Sequence, residues 1–221
     1  MQQRQVPRKT GDEVTDVSMQ DVTFSFGQGP KILNDFSFAA EKGEFVYLFG
    51  ENGSGKSTVL KILCGVMKAR SGTVTILGKD PYCNPEILKR TGVVVDGMGF
   101  YGECSLRENV LLFAREKGLK DGAEQALDHY IKLWDIDFDM KYKRGSHGMR
   151  KIAQLTLSLL KHPDVLIWDE PELALDEKRQ EVLLTLLQEH KSKGKTVIVA
   201  GTMPTFYGNL VDRTVKKEVV L

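Results

Sequence analysis

Cysteine is scarce, with only Cys64, Cys83 and Cys104 in a chain of 221 residues. The number is odd and no C-x-x-C pair occurs. This excludes a disulfide framework and a zinc site, and predicts core or semi-exposed thiols in a reducing cytosol. Long hydrophobic runs are missing too. The longest uncharged stretch, 196–211, has 16 residues and is broken by Gly201, Pro204, Gly208 and Asn209. That is short of the roughly 20 apolar residues a membrane span needs. Neither charge is in excess: 31 basic against 30 acidic residues leave a formal charge of +1. No global field recruits DNA or RNA, so nucleic acid is not expected as a partner. No apolar core follows Arg4, Arg8 and Lys9, which argues against a secretory signal. Internal repeats and low-complexity segments are absent from the sequence. What is present is 41% apolar and 28% charged, proportions that fit one large globular domain or one domain with an inserted subdomain.

The hydrophobic pattern divides the chain. Residues 1–16 read as a polar tail. Residues 17–26 and 32–40 alternate as strands around the turn Gly27-Gln28-Gly29-Pro30. Residues 45–49 (FVYLF) form a continuous apolar run, as in a strand buried on both faces. A helix is predicted over 57–66 and strands over 73–77 and 92–95. Helical spacing then governs 106–116, 123–133 and 151–160. Strands return at 165–168 and 196–200, around a helix at 176–191, and 215–220 reads as a last edge strand. This order predicts an α/β sheet with an inserted helical subdomain at about 97–160.

Two motifs carry chemistry. Gly50-Glu51-Asn52-Gly53-Ser54-Gly55-Lys56-Ser57 matches G-x-x-x-x-G-K-[ST] in full, between a buried strand and a helix. Glycines let backbone N–H groups turn toward phosphate oxygens, and the following helix points its positive end at the same anion. Lys56 is placed to reach the β- and γ-phosphates and Ser57 to ligate Mg²⁺, with Thr58 as a further phosphate contact. The dinucleotide pattern G-x-G-x-x-G is absent. The second motif is the apolar strand 165–168 ending in Asp169 and Glu170. Beside a phosphate loop, Asp169 is suited to hold Mg²⁺ and Glu170 to orient and deprotonate an attacking water. Without that loop, the two acids would simply begin a turn.

Three further segments select among phosphate-loop families. Gly145-Ser146-His147-Gly148-Met149 precedes a helix leading to the acidic strand. Leu173-Ala174-Leu175-Asp176 follows that strand, and Phe26 lies upstream of the loop. Over residues 17–220 this order resembles the nucleotide-binding domain of ATP-binding cassette (ABC) transporters. The resemblance implies a RecA-like phosphate-loop NTPase core with an antiparallel β subdomain and an inserted α-helical subdomain, all within 17–221. It implies ATP and Mg²⁺ as cofactors, and a head-to-tail dimer, homomeric or heteromeric. In that dimer Ser146 and Gly148 of one copy face the ATP held by the other. Phe26 is then implied to stack on adenine, the alternative being a core aromatic. Asp176 is implied to be the acid of the loop crossing the dimer, and it also suits a helix N-cap.

The chain departs from the family at two switch positions. Asp96 stands where Gln usually ligates near Mg²⁺, and Thr202 stands where His usually contacts the γ-phosphate. Asp brings a negative charge and Thr carries none, so slow hydrolysis is expected. The loop Gly97-Met98-Gly99-Phe100-Tyr101-Gly102 is either a docking surface for a membrane subunit or packing within the insert. The resemblance implies an ATP-hydrolysing subunit on the inner face of the cell membrane, driving a separate transmembrane permease. Export is favoured by the S-x-G-M pattern. The alternatives are a soluble ABC-type ATPase serving assembly or regulation, and a phosphate-loop kinase.

Overall fold

The computed structural model describes residues 14–97, 99–119 and 121–220. Residues 1–13 of the expected tail and Met98 of the glycine–aromatic loop lie outside the described residues. The chain begins with β1 (Thr15–Ser25) and β2 (Lys31–Glu41), then β3 (Phe45–Phe49) and helix α1 (Lys56–Leu63). Strand β4 (Ser71–Ile76) and β5 (Thr91–Val94) follow, with a 3₁₀ turn at Pro85–Arg90 between them. Helices α2 (Leu106–Glu116), α3 (Ala123–Trp134) and α4 (His147–Leu159) form the insert. Strand β6 (Val165–Asp169), α5 (Glu177–Ser192), β7 (Thr196–Gly201) and β8 (Arg213–Lys216) complete the fold. The strands form an antiparallel sheet ordered β2-β1-β4 and a parallel sheet ordered β5-β6-β7-β3-β8.

The continuous apolar strands separate two cores. On β3, Phe45 and Tyr47 join one core, while Val46 and Leu48 join the other. Leu166 and Trp168 on β6 alternate with Val165 and Ile167 in the same way, as do Val197 and Val199 on β7 with Ile198 and Ala200. A period of two on a strand covered on both sides requires this division. One core takes the helical insert and α5; the other takes α1 and the antiparallel sheet. Local signals start the helices. Ser105 and Glu108 form a reciprocal capping box on α2, and Ser146 and Asp176 accept backbone N–H groups at the starts of α4 and α5.

Several boundaries differ from the sequence pattern. Strand β1 starts at Thr15, and Asp16 is buried, accepting a 2.6 Å hydrogen bond from the Thr196 hydroxyl on β7. A polar residue at a chain end signals nothing of a partner 180 positions away. Helix α4 starts at His147, four residues before the predicted 151, because the Ser146 cap nucleates its first turn. Strand β8 stops at Lys216 and does not reach Val220.

His190 on α5 is buried, and its Nε2 has no hydrogen-bond partner among the described residues. Burial, then Lys195 and Lys193, pushes its pKa down from 6.5 to about 4. The neutral ring is therefore the native form. Its contribution is complete above pH 6.5 and is lost as pH falls through 4, up to about 3 kcal/mol. His190→Leu is expected to flatten the fall of the urea midpoint between these pH values relative to wild type.

Candidate active site at the strand ends

Four neighbouring parallel strands end at one rim. The phosphate loop leaves β3, Asp96 follows β5, Asp169 and Glu170 close β6, and Thr202 follows β7. Register holds them level: Asp169 pairs with Ala200, Phe49 with Gly201, and Val94 with Trp168. The carboxyl ends of open parallel sheets are where ligands bind in such folds.

Within the loop, Gly53 and Gly55 have φ of 80° and 96°, values that favour glycine. A Cβ on Gly55 would lie 2.7 Å from Ile32 Cγ2, and one on Gly50 would lie 2.5 Å from Ser54 Oγ and against the Lys217 carbonyl. Ser54 Oγ is buried without a hydrogen-bond partner among the described residues. The Lys56 ammonium is also buried. It donates to the carbonyls of Gly50 (2.8 Å) and Glu51 (3.2 Å) and lies 4.0 Å from the Glu170 carboxylate. Thr58 is buried one turn into the site, while Glu51 and Asn52 are exposed.

The acids sit in contrasting settings. Asp169 is buried, and that burial pushes its carboxyl upward; the Ser57 hydroxyl hydrogen-bonds to it and opposes the shift, whereas Asp96 adds to it. Lys151, from α4, donates to the Asp169 carbonyl at 3.2 Å. Glu170 is half-buried with φ of +44°, an uncommon conformation for a residue with a side chain, and its N–H donates to Ala200. Asp96 and Thr202 are exposed.

These residues fit a triphosphate with Mg²⁺. Side chains at Gly50 and Gly55 would collide with Ile32, Ser54 and Lys217 and displace the loop, Ser54 Oγ is a buried polar group without a partner among the described residues, and Asp169 is a desolvated carboxylate beside a hydroxyl. Hydroxyl and carboxylate oxygens form a hard donor set. Mg²⁺ characteristically takes only one or two protein ligands and fills its octahedron with phosphate and water oxygens.

The remaining predicted residues lie elsewhere. Phe26 is 55% exposed, edge-on to Phe24 at 5.1 Å, so it is not a core aromatic. Its turn is braced by Arg70, which donates to the carbonyls of Ser25 and Gly27. Ser146 and Gly148 line a cleft of about 370 Å³ with Ala174, Asp176 and Arg179, and no phosphate-loop residue lines it. A Cβ on Gly148 would press on the Ala174 carbonyl. Asp176 caps α5 by accepting from the Arg179 N–H at 3.0 Å and pairs with its guanidinium; that N–H first, and the guanidinium with it, hold the carboxyl below its usual range.

In the insert, Phe100 and Tyr101 both stack on Phe113, at 5.3 and 5.8 Å, and Phe100 also contacts Tyr142. Asn109, fully buried, anchors this loop through the Tyr101 N–H (2.6 Å) and carbonyl (3.0 Å). Tyr101 remains 55% exposed and Leu112 39%.

Sequence reasoning missed Glu172. It is 2% exposed, accepts a 2.5 Å hydrogen bond from the Tyr207 hydroxyl, and is pushed upward by burial. As one more acid after Asp169 and Glu170, it carried no signal of burial.

Comparisons with known proteins agree with this geometry. A sequence model of the ABC transporter family matches residues 33–172. The ABC transporter ATP-binding protein NatA of Bacillus subtilis (strain 168) is 31% identical over 173 residues, covering 76% of this chain and 70% of that protein. The ribose import ATP-binding protein RbsA of Shouchella clausii (strain KSM-K16) is 30% identical over 193 residues, 82% of this chain but only 38% of that protein. Among solved structures, a dimeric ATP-binding cassette in a post-hydrolysis state, bound to ADP and Pi, superposes with a TM-score of 0.79 at 25% identity, covering 91% of this chain and 94% of that one. A phosphate loop and acidic strand meeting at one rim, in a chain matched over more than half its length, thus make this protein a member of the ABC transporter family of ATP-binding proteins.

Proposed function

We propose that the chain binds ATP with Mg²⁺ and hydrolyses it within a head-to-tail dimer, driving a separate transmembrane permease subunit. The observation that carries this reading is the 4.0 Å approach of Lys56, on the phosphate loop, to Glu170 at the end of β6. It joins an anion-binding cation to a base suited to a water nucleophile. The loop backbone and Lys56 hold the phosphates, with Thr58 as a further contact, and Ser57 and Asp169 hold the metal, assisted by Asp96. Mg²⁺ held there would supply positive charge to the bound triphosphate. Lys56 exchanges its carbonyl partners for phosphate oxygens, and Glu170 takes the proton of the attacking water.

Exposed Phe26 stacks on adenine. Ser146 at the α4 N-terminus and Gly148, in the cleft shared with Asp176, complete the partner copy's site as an anion binder. The second copy is either identical or a related subunit. Asp96 adds negative charge and Thr202 gives no cation, so turnover is slow while binding and dimerisation persist.

Among the described residues no helix is long and apolar enough to cross a membrane. In this reading the permease is a separate chain, and this subunit sits peripherally on the inner face of the cell membrane. The aromatic loop around Tyr101 is the docking surface for it. We propose export as the direction, supported by the S-x-G-M pattern at Ser146–Met149; the relative RbsA is named for import.

Three outcomes test this reading. Lys56→Ala abolishes binding of a fluorescent ATP analogue, whereas Glu170→Gln retains binding, loses at least ~100-fold in kcat and forms a dimer with MgATP in light scattering. Asp96→Gln and Thr202→His each raise kcat several-fold (~3 or more) in a phosphate-release assay. Phe100→Ala or Tyr101→Ala leaves ATP binding intact but ends co-purification with the membrane subunit from detergent extracts.

A further inference from the structure

We propose that Glu172 is a positioning residue of the hydrolytic site, fixing the loop after β7 through the hydroxyl of Tyr207, whose ring packs on Tyr47. The inference rests on the ATPase reading above and adds residues to the same site. Glu172 lies two residues beyond Glu170, inside the protein, with 2% exposure. Its Oε2 accepts from the Tyr207 hydroxyl at 2.5 Å, while Oε1 is buried without a hydrogen-bond partner among the described residues. Oε1 lies 3.3 Å from the point where a Cβ on Gly201 would stand, and the Tyr47 hydroxyl lies 2.5 Å from the same point. The carboxyl and the phenol thus occupy the space that a side chain at the end of β7 would need.

Both phenols belong to the segments they join. Tyr47 is on β3, three residues before the phosphate loop, and its hydroxyl accepts the Met203 N–H at 2.9 Å. Tyr207 is in the 3₁₀ turn that follows Thr202, and its ring packs on Tyr47 at 5.3 Å and on Phe45 at 5.6 Å. The backbone on either side of Thr202 is therefore anchored: Ala200 accepts the Glu170 N–H, and Met203 donates to Tyr47. Glu172 closes the ring between the Glu170 segment and the Tyr207 turn.

An acid in this position costs more than an apolar residue of the same size unless its hydrogen bonds fix something. What it fixes here is the spacing of Glu170 and Thr202 at adjacent strand ends. No cation stands at position 202 to hold that loop against a phosphate, so its position depends on the protein's own contacts.

The test uses the full chain with Tyr207→Phe, Glu172→Leu and Glu172→Gln. It measures kcat and KM for MgATP, thermal unfolding, and hydrogen exchange of the Met203 amide without nucleotide. Tyr207→Phe and Glu172→Leu are expected to lower kcat about tenfold with KM within about twofold. Both speed Met203 exchange by about tenfold. Glu172→Gln, which still accepts from Tyr207, is expected to restore kcat to within about threefold of wild type. Wild-type kcat in a folded Tyr207→Phe or Glu172→Leu chain would overturn the proposal, as would a matching rise in KM or a Glu172→Gln variant no better than Glu172→Leu. Should Glu172→Leu fail to fold, Tyr207→Phe, which removes one oxygen, decides by the same criteria. A wild-type chain that binds no MgATP defeats the ATPase reading, whereas unchanged Met203 exchange in Tyr207→Phe defeats the positioning role whether or not ATP is bound.

Discussion

Parallel pairing at a common level is the constraint on which the site depends. Strands β5, β6, β7 and β3 run the same way, and each pair keeps an unbroken register. Each strand therefore delivers its next residues to the same rim. A one-residue slip of β6 would turn Asp169 toward the opposite face and exchange the side chains facing the two cores. The alternation of Leu166 and Trp168 with Val165 and Ile167 penalises such a slip, because each pair would move into the other core. Core packing thereby sets the geometry of the chemistry above it.

The rim itself concentrates charge under partial desolvation. Lys56 is buried against loop carbonyls, Asp169 is buried and shifted upward, and Lys151 reaches the same strand end from α4. Removing charges from water is costly, so such groups persist where they pair with each other or with a ligand. Ser54, orphaned within the loop, belongs to the same pattern. Glu172 and Tyr47 accept hydrogen bonds, from the Tyr207 hydroxyl and the Met203 N–H, and form a second, supporting layer. The ligand-binding layer is strained and under-satisfied, while the supporting layer is largely hydrogen-bonded, which suits a site that is to be completed by phosphate oxygens.

Much of this was legible from local chemistry. A strand, a glycine-rich turn and a helix are each specified by neighbours in the chain, so the loop 50–57 and its flanks were readable directly. The apolar run before Asp169 announced a buried strand in the same way. Phe26 stood open between two readings until its exposure removed the core alternative. Asp16 and Glu172 looked like ordinary polar residues because their partners, Thr196, Tyr207 and the end of β7, come from distant parts of the chain. Helix α4 was read short because the apolar stripe begins a turn after the cap that starts it.

The sequence by itself determined the candidate site groups and the local elements that present them, since those follow from residue type, spacing and periodicity over a few turns. Only the tertiary structure decided which strand ends became neighbours, which acid was exposed and which was buried, and that Ser146 and Gly148 line a cleft apart from the phosphate loop. The reason is that burial and proximity arise from packing among segments far apart in the chain, and no local window of residues contains that information.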